Sequence, residues 1–414
     1  MNILGRIARA DFSGFENAGV ALDANPWVEA FKGGGSEAGR TVTVANSLAV
    51  AGVWSAVRIL SDTIGTLPLV TYRLNGVNKE RAVDARVYDL LHEQPNPEMT
   101  AATLWGLVVT YLNTWGNAYL GKTKRGRNVT ELWPIRPDRV RVWRENGRKM
   151  YGVRDANGVE TKFTSDDIIH IHGITLDGLT GLSPVAMARE SIGAAMAMDQ
   201  YTNTFFREGA LPRMVLRHKG RLTGDGKRNL RRQWEQRYRG SARANRVAVL
   251  EEDVDVKILS LPQRDLEFVE QRGWTLQELA RWFRVPVSML EGDKGGSSMT
   301  YRTVEGDSIA FVTHSVRPWA VRIEQAINND RDLFPSNTFG CEFLVDSLLR
   351  GETLARYQAF QIALDPNTGW MLPSEVRVIE NLSFDARFDH KPVPVTASGA
   401  PPPPTPPPIK SPGR

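Results

Sequence analysis

The chain has 414 residues, 41% hydrophobic and 24% charged, which excludes a disordered or fibrous protein and predicts roughly two or three domains with real cores. One cysteine, Cys341, excludes an intrachain disulfide and fits a reducing compartment, and no apolar run is long enough to span a bilayer or to open the chain as a signal peptide. A net charge of +5 and a pI near 9.3 are too mild to identify a nucleic-acid binder from one copy, although the excess would add up around the axis of a ring.

Residues 1–46 are rich in Gly and Ala without sustained periodicity and read as a flexible arm. Within them, Gly34 to Thr41 nearly matches a phosphate-binding loop. Arg40 stands where that loop needs Lys, residues 26–32 are not an apolar strand, and Val42-Thr43-Val44 looks extended where a helix should begin. Residues 47–66 form an amphipathic helix, capped by Ser47, with Val50, Val53, Trp54, Val57, Leu60 and Ile64 as its buried stripe. Pro68 stops it, and a strand over 69–74 turns at Asn75-Gly76. A helix over 101–114 follows. Strands are predicted at 118–122, 129–133, 140–143, 151–155 and 168–171, with turns at Asn146-Gly147 and Asn157-Gly158. This half reads as α+β.

His170 and His172 lie at strand spacing, so both rings face one side, near Asp166 and Asp167. No third His or Cys stands at a ligand-like spacing, so the expected role is structural, with ring nitrogens bonded to neighbouring backbone and no metal or cofactor. Ser183-Pro184 opens a long helix ending at Gly209. Its Gly193, Ala194, Ala195 and Ala197 suit close approach by another helix, and Phe205 and Phe206 anchor its end. Residues 212–262 read as a compact insert of strands (214–218, 247–250, 254–261) and a basic helix over 227–239. That helix carries Lys227, Arg228, Arg231, Arg232, Arg237 and Arg239 around Trp234 and Tyr238. It is either a solvated face or a docking surface for an acidic or phosphate-bearing partner.

From 265 the pattern is helix, loop, helix. Val269, Leu276, Leu279, Ala280 and Phe283 make one apolar face, with Glu267, Glu270 and Glu278 off it. Arg284-Val285-Pro286 ends the helix. The Gly/Ser-rich stretch from Gly292 carries Lys294, Met299 and Tyr301, with Arg302 just beyond. The second helix shows Ile309, Val312, Val316, Trp319, Ile323 and Ile327 as its stripe, and Pro318 inside it should kink it by removing a backbone donor. A strand at 339–345, a helix at 353–364 and a short helix capped by Ser374 complete the pattern. From 392 the proline-rich sequence reads as a disordered or polyproline tail.

A series of short phrases now carries a resemblance. They include Thr66-Leu67-Pro68-Leu69-Val70-Thr71-Tyr72, Gln94-Pro95-Asn96, Trp115-Gly116-Asn117-Ala118-Tyr119 and Leu132-Trp133-Pro134-Ile135-Arg136-Pro137. Asp167-Ile168-Ile169-His170, Gly181-Leu182-Ser183-Pro184, Gly209-Ala210-Leu211-Pro212, Val285-Pro286, Arg317-Pro318-Trp319 and Glu375-Val376-Arg377 follow. In number and order over 47–381 they resemble the portal proteins of tailed double-stranded DNA phages, in the lambdoid Hong Kong siphophage group. The arm and the tail lie outside the resemblance.

The resemblance implies a portal-type α+β fold and a dodecameric ring at one capsid vertex of the virion, assembled in the host cytoplasm. DNA would pass through the channel without sequence specificity. Residues 47–182 would be a wing, 183–211 and 265–286 paired stem helices, and 212–264 a small α/β clip. Residues 287–335 would be a tunnel loop and kinked tunnel helix, and 336–391 a helical crown. Channel-facing candidates are Lys294, Met299, Tyr301 and Arg302 in the loop and Glu267, Glu270 and Glu278 on the stem. Arg228, Arg231, Arg232 and Arg237 would dock the terminase and the head–tail adaptor from the clip. The major capsid protein is a further expected partner and a membrane is not. Trp282-Phe283-Arg284 departs from the family's usual small-Phe-Gly. No catalytic residues or cofactor are expected, since the ATPase and nuclease belong to terminase. The competing reading is a nucleotide- or metal-dependent enzyme built on the Gly34–Thr41 loop or the His170/His172 pair.

Overall fold

The computed structural model describes residues 36–75, 78–207, 214–218, 254–258, 262–291, 301–336, 338–345, 353–366 and 368–380, with isolated positions at 224, 225, 228, 232, 348, 387 and 390. The chain divides into two compact units, one reaching to Val345 and one beginning at Asp346. It is α+β, with helices and antiparallel sheets. No helix among the described residues is long and apolar enough to cross a membrane.

The first unit opens with residues 36–43 and a short helix α1 (Val44–Ser47). Thr43 and Asn46 close a capping box on it, so the sequence assigned to the end of a flexible arm is locally fixed. Helix α2 (Ala51–Gly65) starts at Val50 without a side-chain cap, so Ser47 is not its cap. Val50, Val53, Val57, Leu60 and Ile64 are buried as predicted, but Trp54 is 52% exposed. The buried arc of α2 runs round to Gly52 and Ala56 instead, because Leu276 and Leu279 of a later helix press on that flank. Strand β1 (Leu69–Asn75) pairs with β2 (Asn78–Arg81), then comes α3 (Arg86–His92). Helix α4 (Ala101–Thr114) packs on α2 and has the predicted bounds, set by the Thr100 cap.

Two three-stranded sheets follow. In one, β3 (Asn117–Arg125) is flanked by β4 (Asn128–Ile135) and β8 (Ile168–His172); in the other, β6 (Arg148–Arg154) is flanked by β5 (Val140–Glu145) and β7 (Glu160–Thr164). Strand β7 had no counterpart in the sequence reading, because Glu160-Thr161-Lys162-Phe163-Thr164 buries only Phe163. Asn146 and Gly147 both have positive φ, as the tight β5–β6 turn demands. Tyr119, Ile135, Val140, Tyr151, Val153, Phe163 and Ile168 form a shared core between the two sheets.

The helix opened by Ser183 is broken at Ala188 into α5 (Pro184–Met187) and α6 (Arg189–Arg207). Strands β9 (Met214–His218) and β10 (Val254–Ile258) pair antiparallel. Helix α7 (Pro262–Phe283) is followed by α8 (Val287–Glu291). The helix expected to kink at Pro318 comprises α9 (Tyr301–Phe311), a π-helical stretch over Val312–Val316 and α10 (Arg317–Asn328), with Pro318 in the first turn of α10. Strand β11 (Phe339–Phe343) then returns to pair with β1, Leu69 opposite Phe343. The last strand of this unit therefore completes its first sheet.

In the second unit, α11 (Thr353–Ala363) ends in a turn where the Ala363 carbonyl accepts from the amides of Trp370 and Met371. In α12 (Pro373–Ile379) Ser374 is a buried helical residue rather than the cap. The Glu375 carboxylate accepts from the Leu372 amide at the helix start instead.

Candidate functional site

Phrases far apart in the sequence meet at one junction. Gly116 has a φ of +75°, and a Cβ there would fall on the Leu182 carbonyl oxygen. Asn117 is the centre of this contact. Its Nδ2 donates to the Gly181 carbonyl at 2.8 Å, and its Oδ1 accepts from the Gly181 amide at 2.7 Å. The Ser183 hydroxyl donates to the Thr114 carbonyl at 2.6 Å and accepts from the Ala186 amide to cap α5. The two motifs thus fix where α5 and α6 leave the sheet layer. Asn96 similarly donates to the Leu132 carbonyl at 2.9 Å and ties a third phrase to β4.

Helix α10 also contacts this junction. Arg322 donates to the carbonyls of His172 and Gly173 at 3.2 and 2.9 Å, and the Trp319 ring lies against Gly173. Beyond α10, the buried Lys122 ammonium sits between Asp330 and Asp332 at 2.6 and 2.7 Å, and Lys124 adds a second contact to Asp332 at 2.7 Å. Burial pushes the Asp332 carboxyl up, but the hydrogen bonds from Lys122 and Lys124 outweigh it and hold the pKa below its ordinary value. A buried lysine is tolerated there because its charge is balanced and hydrogen-bonded.

Helices α6 and α7 pack antiparallel. Thr275 meets Met198 at 3.6 Å, and the Trp282 indole donates to Ser191 at 3.3 Å. The small-residue stripe on α6 does not receive this helix at Gly193. A Cβ at Gly193 would instead meet Ser36, in the segment before α1. Leu279, Ala280 and Phe283 of α7 are buried, whereas Glu278 is exposed. At ~100° per residue, Glu267, Glu270 and Glu278 share one ~80° sector on the opposite side of the helix. The side chains of Glu267 and Glu270 lie outside the described residues. Trp274 and Tyr201, on the same helix pair, are 66% and 64% exposed.

The departure at Trp282-Phe283-Arg284 falls at the residue that ends α7. The Val285 amide donates to the Ala280 carbonyl at 3.0 Å and the Arg284 amide to the Arg281 carbonyl at 3.3 Å. This is a Schellman ending with Arg284 in the left-handed position, at a φ of +56°. Glycine adopts that conformation without a Cβ penalty, and Arg does not. The Arg284 carbonyl accepts from the Ser315 hydroxyl, which pins the π-helical stretch to the end of α7.

The remaining sequence candidates are placed as follows. Arg228 and Arg232 are exposed helical positions one turn apart, while Arg231 and Arg237 lie outside the described residues. Lys294 and Met299 also lie outside them. Tyr301 and Arg302 open α9, with side chains outside the described residues. His170 Nε2 pairs with Asn117 Oδ1 at 3.0 Å rather than with backbone, and His172 Nδ1 faces the Gly173 carbonyl at 3.2 Å. Burial, with help from Lys149 and His172, keeps His170 well below the usual histidine range. Among the described residues no group of three or more His, Cys, Asp or Glu could hold a metal. At residues 36–40 the Arg40 amide donates to Ser36 Oγ at 3.3 Å, and the turn leads through extended chain to the four-residue α1. That differs from the long helix of a phosphate-binding loop. The sequence reading missed Lys122, whose partners lie more than 200 residues away; a lysine within an apolar strand was the available signal.

The fold is of the α+β portal type. It is similar to a chain in the virion of a native gene transfer agent particle, at 22% identity and a TM-score of 0.60, covering 93% of this chain and all of that one. It is also similar to an HK97 family phage portal protein from Corynebacterium diphtheriae, at 18% identity and a TM-score of 0.52, covering 75% of this chain and 98% of that one. The chain belongs to the phage portal protein family, which it matches over residues 51–381. It is 32% identical over 359 residues to the probable portal protein of Streptomyces phage phiC31, covering 83% of this chain and 77% of the relative. It is 28% identical over 341 residues to the portal protein of Enterobacteria phage HK97, covering 81% and 79%.

Proposed function

We propose that twelve copies of the chain form a ring at one capsid vertex whose channel carries double-stranded DNA during packaging and ejection. The family match over 51–381 carries this reading. A solved neighbour described as the neck of a native gene transfer agent particle computed with C12 symmetry agrees with it. Exposed Tyr201 on α6 suits burial against an adjacent copy, whereas exposed Trp274 shares the α7 sector of Glu267, Glu270 and Glu278. In this reading residues 47–182 are the wing, α6 and α7 the stem, 212–264 the clip, 287–335 the tunnel loop and helix, and 336–391 the crown. The clip, through Arg228, Arg231, Arg232 and Arg237, docks terminase and later the head–tail adaptor, and the capsid protein surrounds the ring. The chain acts as a conduit and performs no reaction of its own.

A conduit for any sequence must touch phosphate weakly, because each firm contact releases counterions and slows sliding. One acidic sector on α7 supplies the needed repulsion. Lys294 and Arg302 supply transient attraction, with Met299 and Tyr301 against the sugar edges. The test replaces Glu267, Glu270 and Glu278 by Lys and complements a portal-deficient phage. Rings should still form, while packaged DNA shortens and particle yield falls. Full-length genomes at normal yield would remove these residues from the channel.

A further inference from the structure

The helix over 301–328 contains two competing apolar registers. After the π-helical stretch, Val316, Ala320, Ile323 and Ile327 are buried. Before it, Phe311 is 6% exposed and Ile309 is 49% exposed. In a continuous α-helix, ~100° per residue would place Ile309 within ~20° of Val316 and Phe311 ~140° away from it. The sequence stripe therefore puts Ile309 inside, whereas the observed fold puts Phe311 there. The π-helical stretch makes the difference. The Arg317 amide donates to the Val312 carbonyl, five residues back, so one residue more than an α-turn holds is accommodated. Pro318 follows at once and has no amide to continue the ladder.

We infer that residues 301–316 form a register switch with a second state, a continuous α-helix in which Ile309 takes the core position of Phe311. Conversion turns Tyr301–Phe311 by ~100° and moves it ~1.5 Å along the axis. Among the described side chains, those toward the C-terminal end tie the helix to several distant segments of the fold. On the C-terminal side Ser315 is bonded to the Arg284 carbonyl, Arg322 to His172 and Gly173, and Lys122 to Asp330. On the N-terminal side, Ser288 donates to Asp307 at 2.8 Å, a contact that conversion would break. Gly306, with open space around its Cβ position, adds little to fix α9. The N-terminal half is thus the part that turns. Its effect on the channel, where Tyr301 and Arg302 open α9, rests on the ring reading; the switch itself does not.

Determining the structure of the full-length Phe311→Ala chain tests this. The expected result is a continuous α-helix in which the Arg317 amide bonds to Thr313, Ile309 is buried and the Ser288–Asp307 contact is lost. A persisting π-helical stretch with a void at position 311 would overturn the proposal. Should that variant not fold, Ile309→Phe with Phe311→Ile keeps both faces apolar and moves the larger side chain to the second register. The same two outcomes then decide. Neither readout needs DNA, so a chain that formed no channel would leave the test unaffected.

Discussion

Arg284 and Lys122 show how single residues bear on this fold in opposite directions. Arg284 occupies a left-handed ending that favours glycine. Arg284→Gly should raise the unfolding free energy by ~0.5–1 kcal/mol, since relief of the Cβ clash exceeds the added chain entropy. Denaturant melts would show it, and a loss of stability would mean that the Arg284 side chain makes a contact worth more than the strain. Lys122→Met should cost ~3–5 kcal/mol, because it leaves the buried Asp330 carboxylate without its ammonium partner. The same cluster sets an acid limit. The folded pKa of Asp332 is lowered, so its contribution is complete above the unfolded value of ~3.9 and is lost as pH falls through the lower folded value. Acid titration of stability should show a drop below about pH 4, shallower in Lys122→Met.

At the scale of elements, the parts legible in the sequence were those with strong local signals. Helix α4 and strand β9 have the predicted bounds, and the Asn146-Gly147 hairpin forms with both residues at positive φ. What was not legible depends on distant partners. Trp54 fits the stripe of α2 by spacing but faces out, because α7 covers the other flank. Ile309 fits a continuous helix, and the π-helical stretch turns it out. The break at Ala188 and the edge strand β7 had no periodic signal. Of the candidate site, the acidic sector on α7 followed from period alone, whereas the Gly116–Asn117–Gly181 junction needed the fold to bring its phrases together. The paired positions Arg228 and Arg232 provide the element-scale test of docking, since residues four apart share a helix face. Arg228→Glu with Arg232→Glu should leave rings intact and weaken pull-down of terminase or adaptor. Unchanged capture of both partners would reduce this helix to a solvated face.

At the scale of the whole molecule, the proposed ring would build a conduit by repeating one chain. Its charge excess of +5 per copy is small, but twelve copies would concentrate it around one axis. Strand β11 closing on β1, the Lys122 cluster and the Asn117 junction tie the helix over 301–328 and the start of α6 to two sheets of the first unit. Each copy can thus present these elements in the same way to its neighbours. The most direct measurement is an electron micrograph of the purified full-length chain, without nucleotide, metal or DNA, paired with native mass spectrometry. The account predicts a ring with a central hole at or within one subunit of twelve copies. A chain that stays monomeric over a wide concentration range would contradict it.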